Sequence, residues 1–231
     1  MSHDKIADSI YLQIKYALLC VRYIGKIRNN KKQDDLSSLV DSVFNDFDSI
    51  LAPIQFKSEI IELLEIIKHY EPINILEIGS ANGGTLYLFS RVASTKARLL
   101  GVDVPFGRYS FSYSIIKRIF FELVKLRPQI LNFIERDSHD PYTAQKIESY
   151  ILGKKFDFIF IDGDHSYEGV KKDFELYSPL VRDGGLICFH DIVHHPPGTV
   201  SHAAEVDIFW EEIKSKHDYL EIIESDSQVW G

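Results

Sequence analysis

The chain of 231 residues has few cysteines and fewer positively than negatively charged side chains. Each of these shortages argues against a class of protein. Its only two cysteines, Cys20 and Cys188, are too few for the disulfide framework of a small secreted domain. Against 34 aspartates and glutamates stand 26 lysines and arginines, which leaves a net charge of −8. This acidic balance disfavours a nucleic-acid partner, because proteins that bind nucleic acid are more often basic.

Long apolar segments are missing as well. No run approaches the roughly 18 apolar residues of a membrane-spanning helix, so we expect no membrane partner. The first residues, Met1–Lys5, lack the apolar stretch of a signal peptide. With 45% hydrophobic and 26% charged residues, the composition is that of a globular domain, and we expect a cytoplasmic protein.

The first 72 residues have a helical pattern. A helix with an apolar stripe is predicted from residues that recur every three or four positions, namely Ile10, Ile14, Leu18, Val21 and Ile24. Two more helices are predicted over about 36–51 and 58–69, before Pro72 closes this part. We assign residues 1–54 to an N-terminal helical extension that acts as a lid or as a dimer contact, the latter in a homo-oligomer.

After Pro72, short apolar segments alternate with helical patterns. Strands are predicted over 73–78, 98–103, 130–134, 156–161 and 185–189, with a sixth over 219–223. This alternation indicates an α/β fold, a doubly wound, mostly parallel Rossmann-like sheet with helices on both faces. Residues 55–231 form this domain. In such sheets, ligands bind beyond the carboxyl ends of the strands.

A glycine-rich turn follows the first strand. It reads Gly-Ser-Ala-Asn-Gly-Gly-Thr over 79–85 and is preceded by Glu77. Ala81 stands where the dinucleotide motif needs its second glycine, which disfavours a nicotinamide or flavin cofactor. Asp103 ends the second strand, where a carboxylate can accept both hydroxyls of a ribose. These features predict a cofactor site; the alternative is a tight strand–helix turn with Glu77 as a supporting hydrogen-bonding residue.

Acidic and imidazole side chains follow the fourth and fifth strands. They are Asp162, Asp164, His165, His190 and Asp191. Neighbouring parallel strands would bring these residues together, and crowded carboxylates repel unless a cation or protons intervene. We therefore predict a divalent metal: oxygen ligands suit Mg²⁺, and imidazoles also suit Mn²⁺, Fe²⁺ or Zn²⁺. The alternative is strand-end polarity without a metal.

Five segments in this order and spacing carry a resemblance to a known family: 76–85, 101–103, 136–140, 161–167 and 184–191. Together they resemble the class I S-adenosylmethionine-dependent methyltransferases. The branch they resemble most is the metal-dependent O-methyltransferases of the macrocin and mycinamicin sugar type, beside the cephalosporin-hydroxylase-like proteins. The specific part is Ile-Asp-Gly-Asp-His-Ser-Tyr over 161–167 with the His-Asp pair downstream.

The resemblance implies S-adenosylmethionine as cofactor, with Asp103 on the ribose and with Ser138 and His139 beside the adenine. For this last pair the alternative is a turn that caps the next helix. Cofactor contacts are implied for Glu77, Gly79, Ser80, Gly83, Thr85, Asp103, Ser138, His139 and Asp162. Metal ligands are implied at Asp162 and Asp191, with His190 where relatives carry an acidic or amide ligand; Mg²⁺ is expected first and Mn²⁺ second.

The implied reaction moves a methyl group from S-adenosylmethionine to a hydroxyl of a small molecule or sugar. The metal would lower the pKa of the hydroxyl, and His165 would take the proton as general base. We expect the aromatic residues Phe106, Tyr109, Phe111 and Tyr113 to form an acceptor pocket or a lid; the alternative is plain core packing. Two alternatives stay open: a metal-dependent hydroxylase that uses His165, His190 and Asp191, and a cofactor-binding protein without turnover.

Overall fold

The computed structural model describes residues 3–29, 35–48, 50–104, 115–194 and 204–224. The α-helices in these ranges are α1 (His3–Asn29), α2 (Leu36–Asn45), α3 (Lys57–Tyr70), α4 (Gly84–Val92), α5 (Ile115–Val124), α6 (Pro141–Tyr150), α7 (Tyr167–Tyr177) and α8 (Val206–Ile213). The strands are β1 (Asn74–Ile78), β2 (Arg98–Asp103), β3 (Ile130–Glu135), β4 (Phe156–Ile161) and β5 (Val181–Phe189). Within the described ranges, no helix is long and apolar enough to cross a membrane.

The five strands form one parallel sheet in the order β3-β2-β1-β4-β5. In register, Ile75 of β1 lies between Leu99 of β2 and Phe158 of β4. The chain runs outward from β1 to β3 and then returns to β4, so the direction of winding reverses between β1 and β4. This confirms the predicted α/β doubly wound fold and predicts a ligand at that point of reversal.

Alternate strand residues face two separate cores. On one face, Ile75 and Phe158 pack with α1 to α5; on the other, Leu76 and Ile159 pack with α6 to α8. The N-terminal helices therefore share a continuous core with the sheet. Contact is close, since a Cβ on Gly84 would lie 1.9 Å from the carbonyl oxygen of Leu51. The division at residues 54 and 55 stays a prediction.

Helix α1 exists as predicted, but of the described side chains in its predicted apolar stripe only Ile24 packs against the core. Ile14, Leu18 and Val21 are 55%, 66% and 74% exposed, whereas Cys20 and Ile27 are buried. Tyr16, also buried, lies on the same face. The periodicity marks a helix correctly, yet two apolar stripes coexist on it, and only packing against α5 and its neighbours selects the buried one.

The predicted sixth strand is wrong. Residues 217–224 have no regular secondary structure, and Tyr219, Leu220 and Ile223 are largely exposed. Their contacts lead away from the sheet: the ring of Tyr219 lies 5.7 Å from that of Trp210, and the N–H of Glu224 donates to Glu59 of α3. The apolar pattern thus reflects side-chain contacts with helices rather than pairing in the sheet.

Two boundaries also differ from the predictions. Helix α2 ends at Asn45 rather than near Leu51, and beyond its end Asp48 adopts a left-handed conformation with φ of +47°. Leu51 is buried without being helical. Strand β5 begins at Val181 rather than at the predicted Gly185. The predicted acceptor aromatics over 106–113 lie outside the described residues.

Candidate functional site

The carboxyl ends of four strands meet at one edge of the sheet. Beyond the strand ends, backbone hydrogen bonds continue the ladder: Gly79 N–H donates to Val102 O (2.8 Å), and Asp162 N–H donates to Ile78 O (2.9 Å). The N–H of His190 likewise donates to Ile161 O (3.1 Å). The polar segments that follow β1, β4 and β5 are therefore fixed side by side, as the sequence predicted.

The turn between β1 and α4 requires its first glycine. Gly79 has a φ of +85°, and a Cβ there would lie 1.8 Å from the carbonyl oxygen of Asp162. Gly83 has the same φ and donates its N–H to Ser80 O (2.6 Å) just before α4 begins. The backbone of the turn is thus packed directly on the segment after β4, with the amino end of α4 beside it.

Two buried polar atoms at the turn have spare hydrogen-bonding capacity. Neither Ser80 Oγ nor Glu77 Oε2 has a hydrogen-bond partner among the described residues, although both side chains are almost fully buried. Burial, and next the charge of Asp162, raises the pKa of Glu77 well above its usual range. Thr85 accepts a hydrogen bond from Gln55 at 3.3 Å. Buried polar atoms without a hydrogen-bond partner are rare in protein cores, and a polar ligand bound at the turn would supply the missing partners.

Asp103 is held at the end of β2 by two backbone donors. Its Oδ2 accepts from Ala81 N–H (2.6 Å) and its Oδ1 from Val104 N–H (2.7 Å). Each carboxylate oxygen can accept more than one hydrogen bond. The carboxylate is therefore oriented and still able to bind hydroxyl groups.

The loop after β3 is tied to α7. His139 Nε2 lies 3.2 Å from Gly169 O and 3.3 Å from the fully buried Asp173, and Ser138 O accepts from Tyr177. Asp137 accepts from His139 N–H, and Asp140 caps α6. The capping turn weighed as the alternative is thus present. The roles of Ser138 and His139 beside an adenine stay predictions.

Two carboxylates and two imidazoles alternate at the ends of β4 and β5. Asp162 Oδ1 lies 3.1 Å from His165 Nε2 and 3.3 Å from His190 Nδ1. Asp191 reaches the same two nitrogens, at 3.3 Å and 3.1 Å respectively. The sequence grouped Asp164 with them, but this side chain is directed to the start of α7, where it accepts from Ser166 N–H. We call Asp162, His165, His190 and Asp191 the Asp–His cluster.

Opposite charges within the Asp–His cluster stabilise each other. Burial alone would raise the pKa of Asp162, but His190 and His165 lower it to about 2. The hydrogen bond to Asp162 raises the pKa of His165, and the two carboxylates hold the pKa of His190 well above 6.5 against the effect of burial. A metal cation and the imidazole protons would therefore compete for the same carboxylates.

The cluster also meets a first geometric requirement for a cation site. Asp162, His165 and His190 each offer one donor atom, and these atoms lie within 4.8 Å of one another. His190 Nδ1 is buried and faces the carboxylates of Asp162 and Asp191, at 3.3 Å and 3.1 Å. Converging oxygen and nitrogen donors of this kind fit a divalent metal.

One residue of the site was missed by the sequence reasoning. Lys117 of α5 is 2% exposed and donates from Nζ to Ala81 O at 2.5 Å, beneath the glycine-rich turn. Its ammonium lies 4.2 Å from the centroid of the Phe133 ring. A lysine 36 positions beyond Ala81 carries no motif. Only the packing of α5 against the turn makes it part of the site.

Comparison with known proteins agrees with this geometry. Residues 76–192, half of the chain, match the family described as methyltransferase domain. The chain is also 29% identical over 124 residues to the uncharacterized protein R132 of Acanthamoeba polyphaga mimivirus. That match covers 52% of each protein, so the chain spans about half the length of this relative.

Two solved structures share the fold. The O-methyltransferase from Bacillus cereus in complex with SAH has a TM-score of 0.55 at 21% identity, over 79% of this chain and 80% of that one. The O-methyltransferase TomG from Streptomyces achromogenes, involved in tomaymycin synthesis and in complex with SAM, has a TM-score of 0.51 at 16% identity, over 80% of each chain. With the matched segment spanning β1 to the end of β5, the chain belongs to the methyltransferase-domain family.

Proposed function

We propose that this chain is an S-adenosylmethionine-dependent O-methyltransferase assisted by a divalent cation. One observation carries this function: the glycine-rich turn, Asp103 and the Asp–His cluster lie at the ends of adjacent strands. A cofactor-binding turn and a cation-binding cluster at one sheet edge can bring a methyl donor and an acceptor together. Most of the rate enhancement would come from positioning the two reactants.

The cofactor half of the site would use the turn and Asp103. The glycine-rich turn, held in place at Gly79 by the segment after β4, would lie against the methionine end of the cofactor. The unpaired Ser80 Oγ is available to bind its polar groups. Asp103, oriented by Ala81 N–H, would accept the ribose hydroxyls.

The acceptor half would use the Asp–His cluster. Asp162, His190 and Asp191 would hold the cation, which when bound lowers the pKa of an acceptor hydroxyl. His165 would take the hydroxyl proton. Of the four side chains it is the most accessible, at 36% against 11–20% for the others, so an acceptor can reach it. The acceptor class, a hydroxylated small molecule or sugar, follows from the resemblance of the 161–167 segment.

Calorimetric titration with S-adenosylhomocysteine tests the cofactor half. We expect binding, and an affinity about 10- to 100-fold weaker for Asp103→Asn, since a hydrogen bond to a charged group contributes about 1.5–3 kcal/mol. Asp183→Asn is the matched control, because Asp183 is exposed on β5 far from its carboxyl end. If the wild-type chain binds neither S-adenosylhomocysteine nor S-adenosylmethionine, the proposed function is wrong.

The base is tested by His165→Ala. This variant should bind S-adenosylhomocysteine like the wild type but lose about 10²–10⁴-fold in turnover. The measurement is transfer of labelled methyl groups to a panel of hydroxylated sugars and phenols. Undiminished transfer by His165→Ala would contradict the assignment of the base.

The identity of the cation follows from its donors. Mg²⁺ prefers oxygen ligands, whereas a nitrogen donor such as His190 favours Mn²⁺ and other transition metals. Calorimetry should therefore give tighter binding of Mn²⁺ than of Mg²⁺, which reverses the order expected from the sequence, and His190→Asp should reduce that preference. His194→Asp is the control, since His194 is exposed and pairs with Asp207 rather than with the Asp–His cluster. An equal preference in all three proteins would exclude His190 as a ligand.

A second function is favoured by the same donors. Asp162, His165 and His190 make a set of two histidines and one carboxylate, which non-haem Fe(II) oxygenases use. Anaerobic titration with Fe²⁺ separates the two functions. Tight Fe²⁺ binding that is lost in His165→Ala, in a chain that binds no S-adenosylhomocysteine, would support a hydroxylase instead.

A further inference from the structure

We propose that Lys117 is a positioning residue of the cofactor site, which holds the glycine-rich turn at Ala81 and thereby orients Asp103 for the ribose. This inference rests on the proposed function, because it concerns the affinity for the same adenosyl cofactor. It rests on two hydrogen bonds of Ala81, one from its N–H to Asp103 and one from Lys117 to its carbonyl oxygen.

Lys117 is a fully enclosed cation. It lies on α5, whose Phe121 packs against the turn at Gly83, while Nζ of Lys117 donates to Ala81 O at 2.5 Å. The ring of Phe133 covers the ammonium at 4.2 Å. A buried lysine is costly unless its charge is used, so a specific partner is expected. The turn carbonyl is such a partner.

Ala81 needs to be held. It is the non-glycine residue of the turn with a positive φ, +37°, a region that costs an L-residue energy. A strained residue persists only where its surroundings fix it. Asp103 binds the N–H of Ala81 at 2.6 Å, and Lys117 binds its carbonyl oxygen. The two hydrogen bonds constrain the residue from opposite sides.

The same arrangement orients Asp103. Because Ala81 N–H is the donor to Asp103 Oδ2, a change in the turn also changes the direction of this carboxylate. The positive charge of Lys117 also attracts the carboxylate of Asp103. Glu77 of β1 and Glu135 of β3, on the strands beside β2, interact with the same ammonium group. Lys117 thus prepares the ribose-binding carboxylate before the cofactor arrives, which improves affinity without a contact to the cofactor.

The test is calorimetric binding of S-adenosylhomocysteine to Lys117→Met, which keeps an apolar stem and removes the donor and the charge. We expect an affinity about 10-fold or more weaker than that of the wild type. Arg118→Met, which removes a more exposed cation from the same helix, should bind within about twofold of the wild type. Equal affinities of wild type and Lys117→Met would overturn the role of Lys117.

A rescue variant separates positioning from general damage to the fold. Ala81→Gly removes the strain, since glycine adopts positive φ freely. Adding it to Lys117→Met should therefore recover part of the lost affinity. If the double variant binds as weakly as Lys117→Met, the role in holding the turn is wrong.

The pH profile gives an independent readout. Burial lowers the pKa of Lys117 to about 8, although Asp103, Glu77 and Glu135 raise it. Wild-type affinity for S-adenosylhomocysteine should fall as pH rises through about 8, and Lys117→Met should lack this fall. If the affinity of the wild type does not change with pH, the charge of Lys117 does not contribute to cofactor binding. Absence of binding by the wild type at every pH would overturn both this inference and the proposed function, whereas normal wild-type binding with an unaffected variant overturns only the former.

Discussion

Replacing Gly79 by alanine measures how tightly the glycine-rich turn is packed against the segment after β4. Two costs add. A positive φ costs an alanine about 1–2 kcal/mol, and a Cβ forced into a packed site costs about 1–3 kcal/mol more. The added atom would lie 1.8 Å from the carbonyl oxygen of Asp162, which is backbone and moves only if the end of β4 moves. We expect a total of roughly 2–5 kcal/mol.

Gly153→Ala isolates the first of these costs. Gly153 has a φ of +74°, and a Cβ there would have no neighbour within 4 Å. The Gly153→Ala variant should lose only about 1–2 kcal/mol of the free energy of unfolding, or about 2–8 °C in Tm for a chain of this size. Urea unfolding measures the free energies, and in calorimetry with S-adenosylhomocysteine only Gly79→Ala should lose affinity. If the two variants are equally stable and bind equally, the close contact between Gly79 and Asp162 does not exist.

Three further predictions concern the fold. Asp157 accepts hydrogen bonds from Arg182 and two backbone N–H groups, which lower its pKa although burial opposes this; Asp157→Asn should cost about 1–3 kcal/mol at pH 7. Because the folded pKa is depressed, this stability is present above the unfolded pKa and is lost as pH falls through the folded one, so urea midpoints of variant and wild type should converge in acid. Ser166→Ala removes the cap of α7 and should cost about 1 kcal/mol by thermal unfolding, while an unchanged Tm would mean that the cap is not used. Ile27→Ala should cost about 2–5 kcal/mol and Val21→Ala under about 0.5 kcal/mol; the reverse order would mean that α1 buries the other face.

Sequence pattern predicted strands β1 to β4 well because each of them is a short, mostly apolar run. Strands β2 and β4 begin and end at the predicted residues, β1 and β3 each differ by one residue, and β5 begins four residues earlier than predicted. The pattern failed over 219–223, where apolar side chains contact helices instead of pairing. An apolar run predicts that a segment is buried, but it does not predict which element the segment packs against.

The candidate site divides in the same way. Glu77, Gly79, Asp103 and Asp162 could be found from the sequence because each is adjacent to a strand end, and parallel strands share one edge. Lys117 could not be found, because a lysine on a helix is normally exposed and its use depends on how α5 packs. For Asp164, proximity in sequence to Asp162 was misleading, since two residues further along the loop the side chain is directed toward α7.

By itself, the sequence determined the α/β class, the glycine-rich turn and the strand-end residues, because these depend on local periodicity and on the conformational freedom of glycine. Tertiary structure alone decided which face of α1 is buried, that residues 217–224 leave the sheet, and that Asp162 and Asp191 each lie beside both His165 and His190. It also decided that Lys117 lies beneath the turn. These features depend on contacts between segments far apart in the chain, and such contacts leave no spacing in the sequence from which they can be deduced.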